Sequence, residues 1–152
     1  MSLGGGGGQL QELTQQIQEI ENAIEKLKGD VESIRTEQSE ADDAIEALEV
    51  LESGATVQVP LGGDAYIRAT VDDIDEAIVS IGGDYAAEFD QDGAVEALGR
   101  KKGRLDEKIE DISEDIAELE AESTRLEQQA QQMQQQQMQQ QMQQMQQQQP
   151  DE

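Results

Sequence analysis

The sequence predicts a mainly α protein with a small β block: two long helices that fold back on one another as an antiparallel coiled-coil hairpin, flanking two central β-hairpins. Three observations carry this. Apolar residues recur at alternating steps of three and four on both sides of the middle, the seam of a coiled coil. Between them, residues 54–90 hold short β-branched or alternating runs broken by glycine pairs, as in strands joined by tight turns. Aromatic residues amount to two Tyr and one Phe, with no Trp, so the volume that usually fills a compact core is missing.

Residues 1–8 read as a flexible glycine-rich leader. The first helix is expected over 9–53. Its seam is Leu10, Leu13, Ile17, Ile20, Ile24, Leu27, Val31, Ile34, Gln38, Ala41, Ile45 and Leu48, and Gln38 is its one polar member. Ser53-Gly54 supplies a stop. The β block follows at 54–90. Strands are expected beginning with Val57 and Val59, and at Tyr66 to Val71, Ala77 to Ile81 and Tyr85 to Phe89, with Gly62-Gly63 and Gly82-Gly83 at the turns. VPLGGD at 59–64 and VSIGGD at 79–84 read as copies of one hairpin. Two hairpins have too few strands to bury both faces, so they are expected to pair with other chains.

Asp90 or Asp92 is placed to cap a second helix over 91–133. Its seam is Val95, Leu98, Lys102, Leu105, Ile109, Ile112, Ile116, Leu119, Ser123, Leu126, Ala130 and Met133. Antiparallel pairing of residues whose numbers sum to 143 brings every a position opposite a d position. It also lays the basic cluster Arg100, Lys101, Lys102, Arg104 and Lys108 beside Glu40, Asp42 and Asp43. The same register sets Ile20 against Ser123 and Leu13 against Ala130, small residues that leave their apolar partners incompletely covered. Residues 134–152 form a Gln/Met-rich tail, in which Met138, Met142 and Met145 share one helical face if the helix continues.

The chain carries 35 acidic and 10 basic residues, a formal charge of −25. This excludes nucleic acid and anionic membranes as partners, since both require positive patches. Lysine-poor, carboxylate-rich composition fits a salt-loaded cytoplasm, where a Debye length of about 3 Å at molar salt screens the self-repulsion. No apolar run is long enough to cross a membrane and no secretory signal is read at the start, so a cytoplasmic location is expected. With no histidine and no cysteine, the usual general base, thiol nucleophile and soft metal ligands are lacking. The LGGD and IGGD turns lack the spacing of phosphate-binding loops. No catalytic residue, cofactor or metal is therefore expected, and the chain is read as a non-enzyme.

A coiled coil, two hairpins and a returning coiled coil, with VPLGGDAYIRATV followed by EAIVSIGGDYAAEF, resembles the alpha subunits of archaeal prefoldin over about residues 9–133. The resemblance implies a hexamer of two alpha and four beta subunits, whose hairpins assemble between subunits into a β-barrel platform bearing coiled-coil tentacles. It implies an ATP-independent holdase that binds unfolded client proteins at the tentacle tips and passes them to a group II chaperonin. By that pattern Val57, Val59, Leu61, Tyr66, Ile67, Val71, Ile78, Val79, Ile81 and Tyr85 build the subunit interface. Leu10, Leu13, Ile17, Leu126, Met133 and Met138 are the candidates for client contact. The alternative from the residues alone is a structural coiled-coil adaptor in another assembly.

The charge reading makes a direct prediction. Transfer from molar salt to below about 0.1 M lengthens the screening distance to roughly 10 Å or more, and the far-UV helix signal should fall; an unchanged spectrum would contradict the halophilic reading.

Overall fold

A computed structural model describes residues 5–147, and the side chains of residues 7–147. In chain order the elements are α1 (Gly5–Val50), β1 (Thr56–Gly62), β2 (Ala65–Thr70), β3 (Ala77–Gly82), β4 (Tyr85–Phe89) and α2 (Gln91–Gln147). The chain divides into two compact units, Met1–Val31 with Asp111–Glu152, and Glu32–Glu110.

In the first unit the two helical segments meet along the seam read from the sequence. Leu13, Ile24 and Ser123 are buried, and Leu10, Ile17, Ile20, Leu27, Ile112, Ile116, Leu119, Leu126, Ala130 and Met133 are half-buried. Lys28 reaches Glu120 at 4.0 Å across the pair. Helix boundaries differ from expectation at both ends of the chain. Helix α1 already includes Gly5 to Gly8, whose carbonyls can accept the amide hydrogens that a helix beginning at residue 9 would leave without partners. Helix α2 runs on from 133 to Gln147, because Gln and Met both favour helix and no breaker intervenes. Residues 1–4 of the expected leader and 148–152 of the expected tail lie outside the described residues.

The second unit carries the hairpins. Its seam is again as expected: Val95, Leu98, Lys102 and Ile109 are half-buried, and Ala41 and Leu105 are buried. The polar seam member Gln38 donates to the Lys102 carbonyl at 3.3 Å and to Asp106 Oδ1 at 2.6 Å, so its amide is satisfied across the interface. Lys102 pairs with Asp42. These contacts centre on the 143 register; a slip of one heptad would move each by a full two turns.

The hairpins are built as two copies. β1 pairs with β2 and β3 with β4, both antiparallel, and the two pairs form separate two-stranded sheets. Each copy shifts register at the same place, between Pro60 and Gly62 and between Ser80 and Gly82, leaving Leu61 and Ile81 as bulged residues. Each then turns through three residues of positive φ: Gly62, Gly63 and Asp64 at 98°, 58° and 61°, and Gly82, Gly83 and Asp84 at 107°, 60° and 63°. Positive φ at both central residues matches the right-handed twist of the flanking strands, and Asp tolerates that region better than most residues.

Capping fixes where the helices meet the block. Asp90 is the N-cap of α2: its carboxylate accepts the Gly93 amide at 2.7 Å and its carbonyl accepts the Ala94 amide at 2.8 Å. Helix α1 ends at Val50, three residues before Ser53. Its last carbonyls are capped from outside, since the Gln91 side-chain amide donates to the Leu48 and Leu51 carbonyls. Ser53 and Gly54 tie the block's base instead of stopping the helix: Ser53 Oγ accepts the Ile74 amide at 3.0 Å, and the Gly54 amide donates to the Val71 carbonyl at 2.7 Å.

A Cβ at Gly93 would fall 2.5 Å from Asp90 Oδ1. Gly93→Ala should therefore displace the cap and forfeit the roughly 1 kcal/mol that alanine otherwise gains over glycine in a helix. A Cβ at Gly103 meets nothing within 4 Å, so Gly103→Ala should raise stability by about 0.5–1 kcal/mol. Thermal melts of the two variants at molar salt check the contrast.

Candidate functional site

The candidate site is the surface the hairpins leave uncovered. Residues opposite one another in an antiparallel ladder point to the same face. In the second hairpin Ala77 opposes Phe89 and Val79 opposes Ala87. That face is covered by the chain's own helices: Val79, Ala94 and Ala97 are buried together, with Leu48, Ala77, Phe89 and Leu98 packed against them. The small side chains at 94 and 97 let the strand approach α2 closely. The other face, with Ile78 opposite Glu88 and Ser80 opposite Ala86, faces solvent, and Ile78 is 75% exposed.

In the first hairpin Val57 opposes Ala69 and Val59 opposes Ile67, while Gln58 opposes Arg68 and Pro60 opposes Tyr66. One face is thus apolar and the other mixed. Val59 and Ile67 are exposed at 40% and 53%, and Val57 and Ala69 are half-buried. Leu61, Tyr66, Ile81 and Tyr85 are also exposed. Every one of the four strands keeps an unpaired outer edge, because each sheet has only two strands. Exposed β-branched and aromatic side chains beside open edges make this the candidate surface for pairing with other chains.

Of the ten residues assigned to that surface, Val57, Val59, Leu61, Tyr66, Ile67, Val71, Ile78, Ile81 and Tyr85 are exposed or half-buried. Val79 is the exception. At 7% exposure it lies in the chain's own core, so it supports the hairpin from within. Adjacent residues of a strand point to opposite faces, so Val79 and Ile78 could not share the surface to which the sequence assigned both.

Of the client-contact candidates, Leu13 is buried and Leu10, Ile17, Leu126 and Met133 are half-buried. All five occupy the seam between the helical segments of the first unit. Met138 is 65% exposed, and Met142 and Met145 stand beside it at 65% and 73%. The spacing i, i+4, i+7 was the signal for those two, which belong with Met138 as one displayed stripe. Ser123 is buried, and a groove runs beside it. That groove is lined by Gln18, Glu21, Glu25, Glu120 and Glu127 among others, so it is polar where an uncovered apolar patch was expected; Ile20 is half-buried and does not line it.

The expected pairing of the whole basic cluster with α1 is also corrected. Among the described residues, Lys102 pairs with Asp42, and Arg100, Lys101, Arg104 and Lys108 make no ion pair. Lys101, Arg104 and Lys108 line a groove between the second hairpin and Glu37 of α1.

Residues 20–136 match the family of prefoldin subunits. The chain belongs to the prefoldin family. The prefoldin subunit alpha of Haloarcula marismortui is 59% identical over 104 residues, spanning 68% of each chain. That of Halobacterium salinarum strain R1 is 60% identical over 113 residues, 74% of this chain and 73% of its own. Among solved structures, a filamentous PFD from Methanocaldococcus jannaschii, determined by cryo-EM, matches with a TM-score of 0.50 at 25% identity, covering 77% of this chain and 93% of that one. No described helix is long and apolar enough to cross a membrane.

The two faces of β3 separate experimentally. Ile78→Asp should weaken assembly in this prefoldin subunit at least tenfold while leaving its helix content unchanged. Val79→Ala should instead cost about 1–2 kcal/mol of stability, the order expected for uncovering part of a buried aliphatic side chain. Sedimentation and thermal melts of both variants check this; equal effects on assembly would contradict the assignment of faces.

Proposed function

We propose that this prefoldin subunit is one of the alpha subunits of an ATP-independent holdase, assembled with beta subunits through its hairpins, which holds unfolded proteins and passes them to a group II chaperonin. The observation that carries the reading is the match over residues 20–136 together with 59–60% identity to prefoldin alpha subunits of haloarchaea. Two alpha subunits with four beta subunits, their hairpins closed into a β-barrel platform, would cover the apolar faces and edges that β1–β4 expose. An exchange of loosely held clients needs no catalytic group. A cytoplasmic location follows from the same reading.

Client contact is best supported at Met138, Met142 and Met145, since these unbranched, polarizable side chains are exposed on one helix and adapt to varied apolar surfaces. Leu10, Leu13, Ile17, Leu126 and Met133 would join them where the seam parts around a bound chain.

Aggregation of two unrelated denatured proteins, followed by light scattering without ATP at molar salt, tests the reading. The assembled complex should suppress both, and Met138→Gln, Met142→Gln and Met145→Gln combined should weaken suppression several-fold without changing helix content or assembly. An intact complex that protects neither protein would overturn the holdase reading in favour of a structural adaptor.

A further inference from the structure

The sulfur of this chain is confined to methionine, since it has five Met and no Cys. Met1 lies outside the described residues, and the other four stand on α2 between positions 133 and 145. Their exposure divides them. Met133 is half-buried in the seam, where the 143 pairing sets it opposite Leu10. Met138, Met142 and Met145 are exposed at 65%, 65% and 73%. The same pairing places positions 135–138 opposite Gly5 to Gly8, which carry no side chains to cover them.

Helix formation and apolarity do not by themselves call for methionine here. Leucine forms helix as readily and is as apolar, yet no leucine follows Leu126. Two properties set methionine apart: an adaptable, polarizable side chain and a thioether that oxidants convert to a polar sulfoxide. The surroundings suit the oxidised form. Gln134, Gln135, Gln139, Gln141 and Gln146 stand three or four positions from one or another of the three, on the helical spacing that lets side chains meet, and each carries amide N–H groups able to donate to a sulfoxide oxygen. No packed side chain is lost either, because all three methionines are exposed. Oxidation at these positions changes the polarity of the surface without taking apart the helix beneath it.

We propose that Met138, Met142 and Met145 form a reversible oxidation site, at which a peroxide turns the stripe from apolar to polar and so releases what it holds. This rests on the client contact proposed above and names its regulation. At each residue the sulfur lone pair attacks one peroxide oxygen, and the S–O bond forms as the O–O bond breaks. The departing hydroxide takes the proton of the transferred hydroxyl and leaves as water. Sulfur is oxidised by two electrons and the peroxide is reduced by two. Reversal by methionine sulfoxide reductases draws two electrons and two protons from a dithiol, and the oxygen departs as water. Met133, shielded in the seam, is oxidised more slowly, so the switch precedes damage to the packing.

The test uses the native complex at molar salt, treated with hydrogen peroxide and followed by peptide mass spectrometry and by light scattering of two denatured proteins. Met138, Met142 and Met145 should gain oxygen several-fold faster than Met133. Suppression of aggregation should weaken several-fold as they do, with helix signal and complex mass unchanged, and should return after treatment with methionine sulfoxide reductases and a dithiol. Met138→Leu, Met142→Leu and Met145→Leu combined should keep suppression and make it resistant to peroxide. Equal oxidation of Met133, undiminished suppression with all three sulfurs oxidised, or equal sensitivity of the leucine variant would overturn the proposal. An untreated complex that protects neither protein is a different result, which overturns the holdase reading and this regulation with it.

Discussion

A two-stranded antiparallel hairpin has two faces and two open edges, and a helix packed against it covers only one face. Everything specific to this chain follows from how that surplus is distributed. The second hairpin settles Ala77, Val79, Ala87 and Phe89 onto its own side of the molecule, against Ala94, Ala97, Leu98 and Leu48. It keeps Ile78, Ile81 and Tyr85 outward. The first hairpin is less covered: Val59 and Ile67 of its apolar face are exposed, and Val57 is half-buried. The second hairpin is thus held in place by a buried cluster and a few backbone and capping hydrogen bonds, while the remaining apolar surface of both hairpins stays exposed.

The helices face the opposite problem, with ample apolar seam and excess charge. Their seam is narrow, so most carboxylates sit at exposed positions where solvent and salt screen them. Exposed ion pairs contribute only about 0–1 kcal/mol each, and few are found among the described residues. Register is set instead by particular polar contacts in the seam. Gln38 satisfies its amide against Lys102 and Asp106, and Lys102 meets Asp42 beside the small Ala41. A slip would bury those groups without partners, at a cost larger than any one surface pair returns.

Much of this was legible in the sequence because the signals are periodic. Each seam position named from the three-four spacing is buried or half-buried, and the four strands and both glycine turns lie where alternation and the repeated GGD placed them. Other features depend on contacts that no period encodes. Alternation separates Ile78 from Val79 but does not say which the helices cover. The cap supplied by Gln91 to α1 joins residues 40 and 43 positions apart, and nothing in a glutamine advertises it. Lys101, Arg104 and Lys108 look, by charge alone, like partners for the acidic residues of α1. They line a groove between α1 and β3 and, among the described residues, pair with no carboxylate. The client candidates divide for a related reason: a seam leucine and a displayed methionine are equally apolar, and only packing distinguishes them.

The most direct test of the account is the mass of the native complex formed by the full chain, captured from its own cells and measured at molar salt. The proposed assembly predicts a hetero-oligomer with more than one copy of this chain and a larger number of copies of a second subunit. A monomer at micromolar concentration would contradict it, because the surface on β1–β4 would then be stable without any partner.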